Sequence, residues 1–343
     1  MPNRPSYKTI AEKAGVSQMT VSLAFRNSPS IRESTRERVL KAAEALGYRP
    51  DPEVNRLLNY IRDRQSQSVR SSLACLNFFQ TRQAFVNSPF RNALWKGMQE
   101  RAESLGYNID LINLFEPELR PERLAGILEA RSIQGVLLPT APNPVDEERW
   151  LLPSVATVST SYLFDALPVD RVHFNAHRMV RIAFEKSYAS GHKRIGIALQ
   201  PDQDTHSSGE WLAAFLRAQF TQKKKEQVPP LFKEKITDAF LKRWIRQHKP
   251  EVVIAPDNGL FQRIESLDLA EIPQFISLNW SRRAAHCAGI SANPELIGSA
   301  AIDLLTAHVQ RNESGIPENR KSVTVEPSWH DGRSFKVGAM HHA

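Results

Sequence analysis

Apolar residues along the first fifty positions recur at helical spacing, interrupted by one short turn. Ile10, Ala11 and Ala14 fall at i, i+1 and i+4, one face of a first helix. Gly15 follows, the residue type with which helices leave in a left-handed conformation. Val16 is the turn's single apolar residue and is expected to plug the angle between two helices. Ser17 reads as an N-cap, because its hydroxyl can accept from the free amides of the next turn. Val21, Ala24 and Phe25 form the inner face of a second helix, with Gln18, Met19, Ser22 and Leu23 outward. After a polar loop broken by Pro29, a third helix is predicted from Ser34 to Leu46. It points Val39, Leu40, Ala43 and Leu46 inward and is stopped by Gly47.

Residues 51–71 read as a linker in which Val54, Leu57, Leu58 and Ile61 share one helical face among Arg56, Arg62 and Arg64. From Leu73 the pattern changes. Strand-length apolar runs at 73–79, 108–114, 135–139, 155–159, 194–199, 251–255 and 275–278 alternate with helical stretches at 90–105, 122–130, 176–189, 210–224, 239–248 and 294–310. Such alternation gives parallel sheets covered on both faces, and two rounds of it imply two similar α/β lobes.

A chain of 343 residues accommodates two or three such domains. The formal charge of +8 is unevenly spread: residues 1–70 hold 13 basic and 7 acidic side chains, so +6 of it sits with the three helices and the linker. Two helices across a tight turn inside a basic segment point to duplex DNA, with the second helix in the major groove. No apolar run is long enough to span a membrane and the N-terminus has no signal-peptide core, so a cytoplasmic protein with no membrane partner is expected. Cys75 and Cys287 are read as core thiols. No phosphate loop, nucleophile elbow or metal-binding motif is present in the sequence, so neither catalysis, a cofactor nor a metal is expected.

The string T-I-A-E-K-A-G-V-S-Q-M-T-V-S at 9–22, with T-R-E-R-V at 35–39 and L-G-Y-R-P at 46–50, resembles the lactose-repressor (LacI/GalR) family of bacterial transcription regulators. G-M-Q-E-R-A-E-S-L-G-Y at 97–107, I-Q-G-V-L-L-P at 133–139, G-H-K-R-I-G-I at 191–197 and P-E-L-I-G-S-A-A-I-D-L-L at 294–305 resemble its effector domain. The resemblance implies a multidomain α and α/β chain. A helix-turn-helix headpiece (1–50) and a hinge (51–71) precede a two-lobed, periplasmic-binding-protein-like effector and dimerisation domain (72–343). One lobe would comprise 72–160 and 290–318, the other 161–289 and 319–337.

For a homodimer on double-stranded operator DNA, the resemblance assigns base contacts to Gln18, Met19 and Leu23. Phosphate contacts go to Ser17, Thr20, Ser22, Arg26, Asn27 and Thr35. Leu57 becomes the minor-groove wedge of a hinge helix; the alternative is that the same segment is an amphipathic dimer contact. A small-molecule effector is expected in the cleft, where strand C-terminal ends meet, at Phe79, Phe90, His206, Trp211, Asp257, Asn279 and Trp280. The sugar-gripping arginine and aspartate of many relatives are replaced here by His206-Ser207-Ser208-Gly209 and by Asn279-Trp280. The site is therefore expected to be less polar than a sugar site, or to have become a dimer scaffold. The competing reading is an α/β enzyme or solute-binding protein carrying an incidental helix-turn-helix.

Overall fold

The computed structural model describes residues 7–25, 31–48, 71–116, 119–142, 150, 152–164 and 166–336. The N-terminal helices are α1 (Tyr7–Ala14), α2 (Gln18–Phe25) and α3 (Glu33–Ala45). Ile10, Ala11, Ala14, Val21, Ala24, Val39, Ala42 and Ala43 form their core. Tyr7, Phe25 and Tyr48 close one end, with ring centroids 5.4–5.8 Å apart. Gly15 has φ +63°, the left-handed exit expected of it. One inward position is corrected. Leu40 is 44% exposed, and Ala42 takes the place beside Val39 and Ala43.

The remainder forms two six-stranded sheets. The first has the order β11-β5-β4-β3-β1-β2, from β1 (Ser72–Asn77), β2 (Asn108–Asn113), β3 (Gly135–Leu138), β4 (Ala156–Ser159), β5 (Asp170–Phe174) and β11 (Ser322–Val325). The second has the order β12-β10-β9-β8-β6-β7, from β6 (Ile195–Leu199), β7 (Leu231–Phe232), β8 (Val252–Ala255), β9 (Gln274–Ser277), β10 (Ala288–Ser291) and β12 (Ser328–His330). Every pairing is parallel except β10 with β12. The covering helices are α4 (Arg82–Val86), α5 (Pro89–Ser104), α6 (Pro121–Ala130), α7 (Ala176–Ala189), α8 (Pro201–Thr205), α9 (Glu210–Phe220), α10 (Asp238–His248), α11 (Gly259–Ser266) and α12 (Pro294–Arg311).

Sheet membership corrects the lobe boundaries drawn at 160 and 318. Strands β5 and β11 pair with each other in the first sheet, so that lobe runs on to Phe174 and takes back the chain to Val325. The predicted helix at 210–224 stops at Phe220. Helix α12 lies along α5 on the first lobe, and the two backbones approach closely. A Cβ on Gly97 would stand 2.0 Å from the Glu295 carbonyl oxygen, and one on Gly298 2.2 Å from that of Leu94.

The chain crosses between the lobes three times, after β5, after β10 and after β11. Polar side chains tie these crossings together. Asn175 Nδ2 donates to Glu326 Oε1 (3.0 Å), Asn293 Nδ2 to the Glu326 carbonyl (2.8 Å), and Ser328 Oγ to Asn293 Oδ1 (2.8 Å). Asn293 holds φ +55° at the entrance to α12, a conformation that asparagine tolerates better than most residues.

Candidate functional sites

In the N-terminal unit, Ser17 Oγ accepts the Thr20 amide (3.1 Å) and pairs with Thr20 Oγ1 (2.9 Å), which fixes the start of α2. Gln18 and Met19 in that first turn are exposed, Met19 to 73%. Thr20, Ser22 and Leu23 are half-buried, so Leu23 offers less surface than its outward assignment suggests. Thr35 is half-buried in the first turn of α3, its amide on the Arg32 carbonyl (2.9 Å). The helix N-terminus, free amides and two hydroxyls make a face suited to a phosphate, beside two side chains free to reach a base edge. Arg26, Asn27 and Leu57 lie outside the described residues.

Between the lobes, four of the seven sequence-predicted residues come together. Phe90, at the start of α5, meets Phe174 at the end of β5 edge to face (6.5 Å), and Phe174 stacks on Trp211 of α9 (5.7 Å). Phe79 carries the Arg91 guanidinium 4.2 Å above its ring centroid. Arg91 Nε and Nη2 donate to the carbonyls of Phe85 (2.7 Å) and Ala84 (3.0 Å), and desolvation lowers its pKa. His206, at the end of α8, is held below the ordinary imidazole value, first by desolvation and then by the charge of Arg91; Asp202 acts against both.

A second bridge lies alongside. The Tyr162 hydroxyl is 2.9 Å from His173 Nε2 and 3.3 Å from Glu210 Oε1 of the opposite lobe. His173 Nδ1 lies 2.9 Å from the Phe174 carbonyl oxygen, which can only accept, so Nδ1 carries the proton, and the single tyrosine proton serves either Nε2 or Glu210 Oε1. Desolvation is the main cause lowering the His173 pKa.

The other three predicted residues form a separate group past the ends of β8 and β9. Asp257 Oδ1 accepts the Gly259 amide (2.9 Å) and shapes the turn into α11. Asn258 Nδ2 donates to the Asn279 carbonyl (2.9 Å), and the Asn279 side chain is exposed. Trp280 lies flat on His330, with centroids 3.6 Å apart, so one indole face is taken by packing.

Sequence reasoning missed Asn77, Arg91 and Phe174. Asn77 is fully buried at the end of β1; its Oδ1 accepts the Phe79 amide (2.9 Å) and its Nδ2 has no partner. The rule that ligands sit at strand ends would have marked Asn77 had β1 been ended there rather than at residue 79. Arg91 had a signal too, since it directly follows Phe90. Among the described residues no group of three or more His, Cys, Asp or Glu side chains is placed to hold a metal, and no helix is long and apolar enough to cross a membrane.

Comparison with known proteins matches two family models. Residues 7–51 match the lacI family of bacterial regulatory proteins, and residues 82–258 match the periplasmic binding proteins and sugar binding domain of that family. The sucrose operon repressor of Escherichia coli is 33% identical over 135 residues, 39% of this chain and 37% of that protein. The transcriptional repressor CytR of E. coli K12 is 26% identical over 199 residues, 57% of this chain and 54% of that protein. The chain thus spans from about a third to about half the length of these curated relatives. The lac repressor dimer bound to operator and an anti-inducer shares the fold, with TM-score 0.55 and 15% identity over 97% of this chain and 99% of that one.

Proposed function

The chain belongs to the LacI family of bacterial regulatory proteins, and we propose that it is a sequence-specific DNA-binding repressor whose operator affinity is set by a small molecule held between its two lobes. The observation that carries the DNA-binding half is the serine-capped start of α2, with Gln18 and Met19 exposed on a helix whose other face is locked into a packed three-helix core. A rigid helix with a free N-terminal turn is what major-groove readout requires. The repressors among the relatives and the operator-bound lac repressor dimer support the same reading and a homodimeric state. Work on DNA in the cytoplasm follows from it, and no catalytic step is assigned.

The effector half rests on the cleft. Aromatic contacts from both lobes meet at Phe174 and Trp211, and three polar crossings form a hinge about which the lobes can part. A molecule that binds one lobe arrangement better than another shifts the balance between arrangements, and with it the spacing of two headpieces. Gel-shift of the full chain against genomic fragments, beside a nuclease and hydrolase screen, tests the proposal. Retention of a small set of fragments without turnover supports it. Turnover without selective retention overturns it.

A further inference from the structure

We propose that Tyr162, His173 and Glu210 form a latch between the lobes that is one hydrogen short, so that it holds the lobes together without locking them. The latch takes its purpose from the effector reading, because it sets the balance between lobe arrangements that an effector would shift. It is tested without effector or DNA, so either reading can fail alone.

The reason is a count of hydrogens. Three contacts run in a row: the Phe174 carbonyl oxygen to His173 Nδ1 (2.9 Å), His173 Nε2 to the Tyr162 hydroxyl (2.9 Å), and that hydroxyl to Glu210 Oε1 (3.3 Å). A carbonyl and a carboxylate only accept, a neutral imidazole carries one N–H, and a tyrosine carries one O–H. Two hydrogens therefore serve three contacts, whichever ring nitrogen is protonated. His173 is buried, and desolvation holds it below the ordinary imidazole value, which keeps the ring neutral at neutral pH. Around it, β4 (A-T-V-S) and β11 (S-V-T-V) carry no ionisable side chain, and α12 sets His308 on Asp170 at the other end of β5. The Arg171 guanidinium lies 5.2 Å from the Tyr162 ring centroid and opposes a charge on the imidazole, while Glu210 favours one.

The shorter contact puts the tyrosine proton on His173, inside the first lobe, and turns an oxygen lone pair toward the carboxylate of the second. The other placement bonds the lobes and leaves Nε2 facing the same oxygen without a hydrogen. Each placement leaves one acceptor against another, and a partly satisfied network away from water costs free energy. Glu210, the first residue of α9, is the one member from the second lobe. The link that crosses between lobes is therefore the weak one.

An amide can supply the missing hydrogen. Glu210→Gln keeps the side-chain shape, and its Nε2 can donate to the Tyr162 oxygen while the tyrosine donates to His173, so that every contact is made. The experiment is single-molecule energy transfer on the full chain, with a fluorophore on each lobe through cysteines introduced at the exposed Glu129 and Lys224; the native Cys75 and Cys287 are buried. Labelled chain is mixed with excess unlabelled chain, so that each assembly reports one labelled copy. The expected result is that the unaltered chain populates a closed and a parted arrangement, and that Glu210→Gln raises the ratio of closed to parted about fivefold, the worth of one hydrogen bond. With Tyr162→Phe already made, the same change should give no such rise, since no oxygen remains to receive the amide. This comparison subtracts whatever the lost charge of Glu210 does to Arg171 or to the start of α9. A single arrangement in the unaltered chain would overturn the weak latch. So would an unchanged or lower ratio in Glu210→Gln, or an equal rise with and without Tyr162→Phe.

Discussion

Gln18 and Met19 are the two side chains of α2 with the most freedom to touch a base. Gln can pair bidentately with adenine, while Met touches only apolar groups such as a thymine methyl. Gln18→Ala is therefore expected to relax specificity at one symmetric base position by about 1–3 kcal/mol per half-site. Competition binding with single-base operator variants reads this, and uniform weakening across all sequences would reassign Gln18 to the backbone. Gly298 is a different kind of residue: its missing side chain lets α12 settle on the Leu94 carbonyl. Gly298→Ala is expected to destabilise the first lobe by about 1–3 kcal/mol, the usual cost of overpacking, and urea unfolding measures it. Single residues were legible where local chemistry decides them, as with Gly15 and Ser17. They were illegible where size or distant neighbours decide. Leu40 reads as buried because it is apolar, yet it is exposed while Ala42 and Ala43 are buried beside Val39. Nothing in the sequence announces that Asn77 and Trp211 end up buried without acceptors.

Among elements, the hydrophobic pattern misses strands whose residues are polar or few. Strand β5 reads D-R-V-H-F, and three polar residues in five look like a loop. They are buried because each has partners: Asp170 accepts from His308 Nε2 (3.0 Å) and from the Lys321 amide (2.8 Å), Arg171 donates to the Phe164 carbonyl (3.0 Å), and His173 meets Tyr162. The partners of Asp170 come from far along the chain, and no local window contains them. Strand β12 has three residues, too short for alternation to register, and β10, A-G-I-S, holds only one large apolar residue. The interlobe crossings carry a test at this scale. Asn293→Ala removes two side-chain hydrogen bonds and puts alanine at a positive φ, so a loss of about 2–4 kcal/mol is expected; Asn293→Gly keeps the backbone at ease and should lose less. Equal losses would mean that the backbone conformation contributes nothing. The linker, outside the described residues, has its own discriminating change. If Leu57 wedges the minor groove, Leu57→Ala reduces operator affinity and bending; if the segment holds the dimer, the same change raises the monomer fraction in sedimentation without DNA.

For the whole molecule, acid is expected to act in two stages. His173, His206, His248 and His330 are all held below the ordinary imidazole value of 6.5, with desolvation the leading cause. As pH falls through 6.5 the unfolded chain takes up protons that the folded chain resists, so stability drops from that point downward. Glu313, held at about 2 by hydrogen bonds from Arg311 and His308, keeps its charge in the fold after an unfolded glutamate has lost it at 4.5. A second loss therefore follows between about pH 4.5 and 2, with the raised pKa of Asp204 opposing it. Melting temperatures from pH 8 to pH 3 should decline already between 6.5 and 5; a flat profile there would show that the imidazoles keep ordinary values. At this scale the alternation of strand and helix made the two-lobed α/β architecture readable, while sheet membership of the last strands depended on pairings that no local pattern encodes. Everything proposed here for the molecule turns on sequence-specific recognition of duplex DNA by a two-fold pair of headpieces. Its most direct measurement is equilibrium binding of the full chain, across salt, to a selected near-palindromic duplex and to a scrambled duplex of the same length. The expected result is a preference of at least a thousandfold at moderate salt and a linear fall of log K with log salt, at about −0.9 per phosphate neutralised. Equal affinity for the two duplexes, or an affinity indifferent to salt, would contradict it.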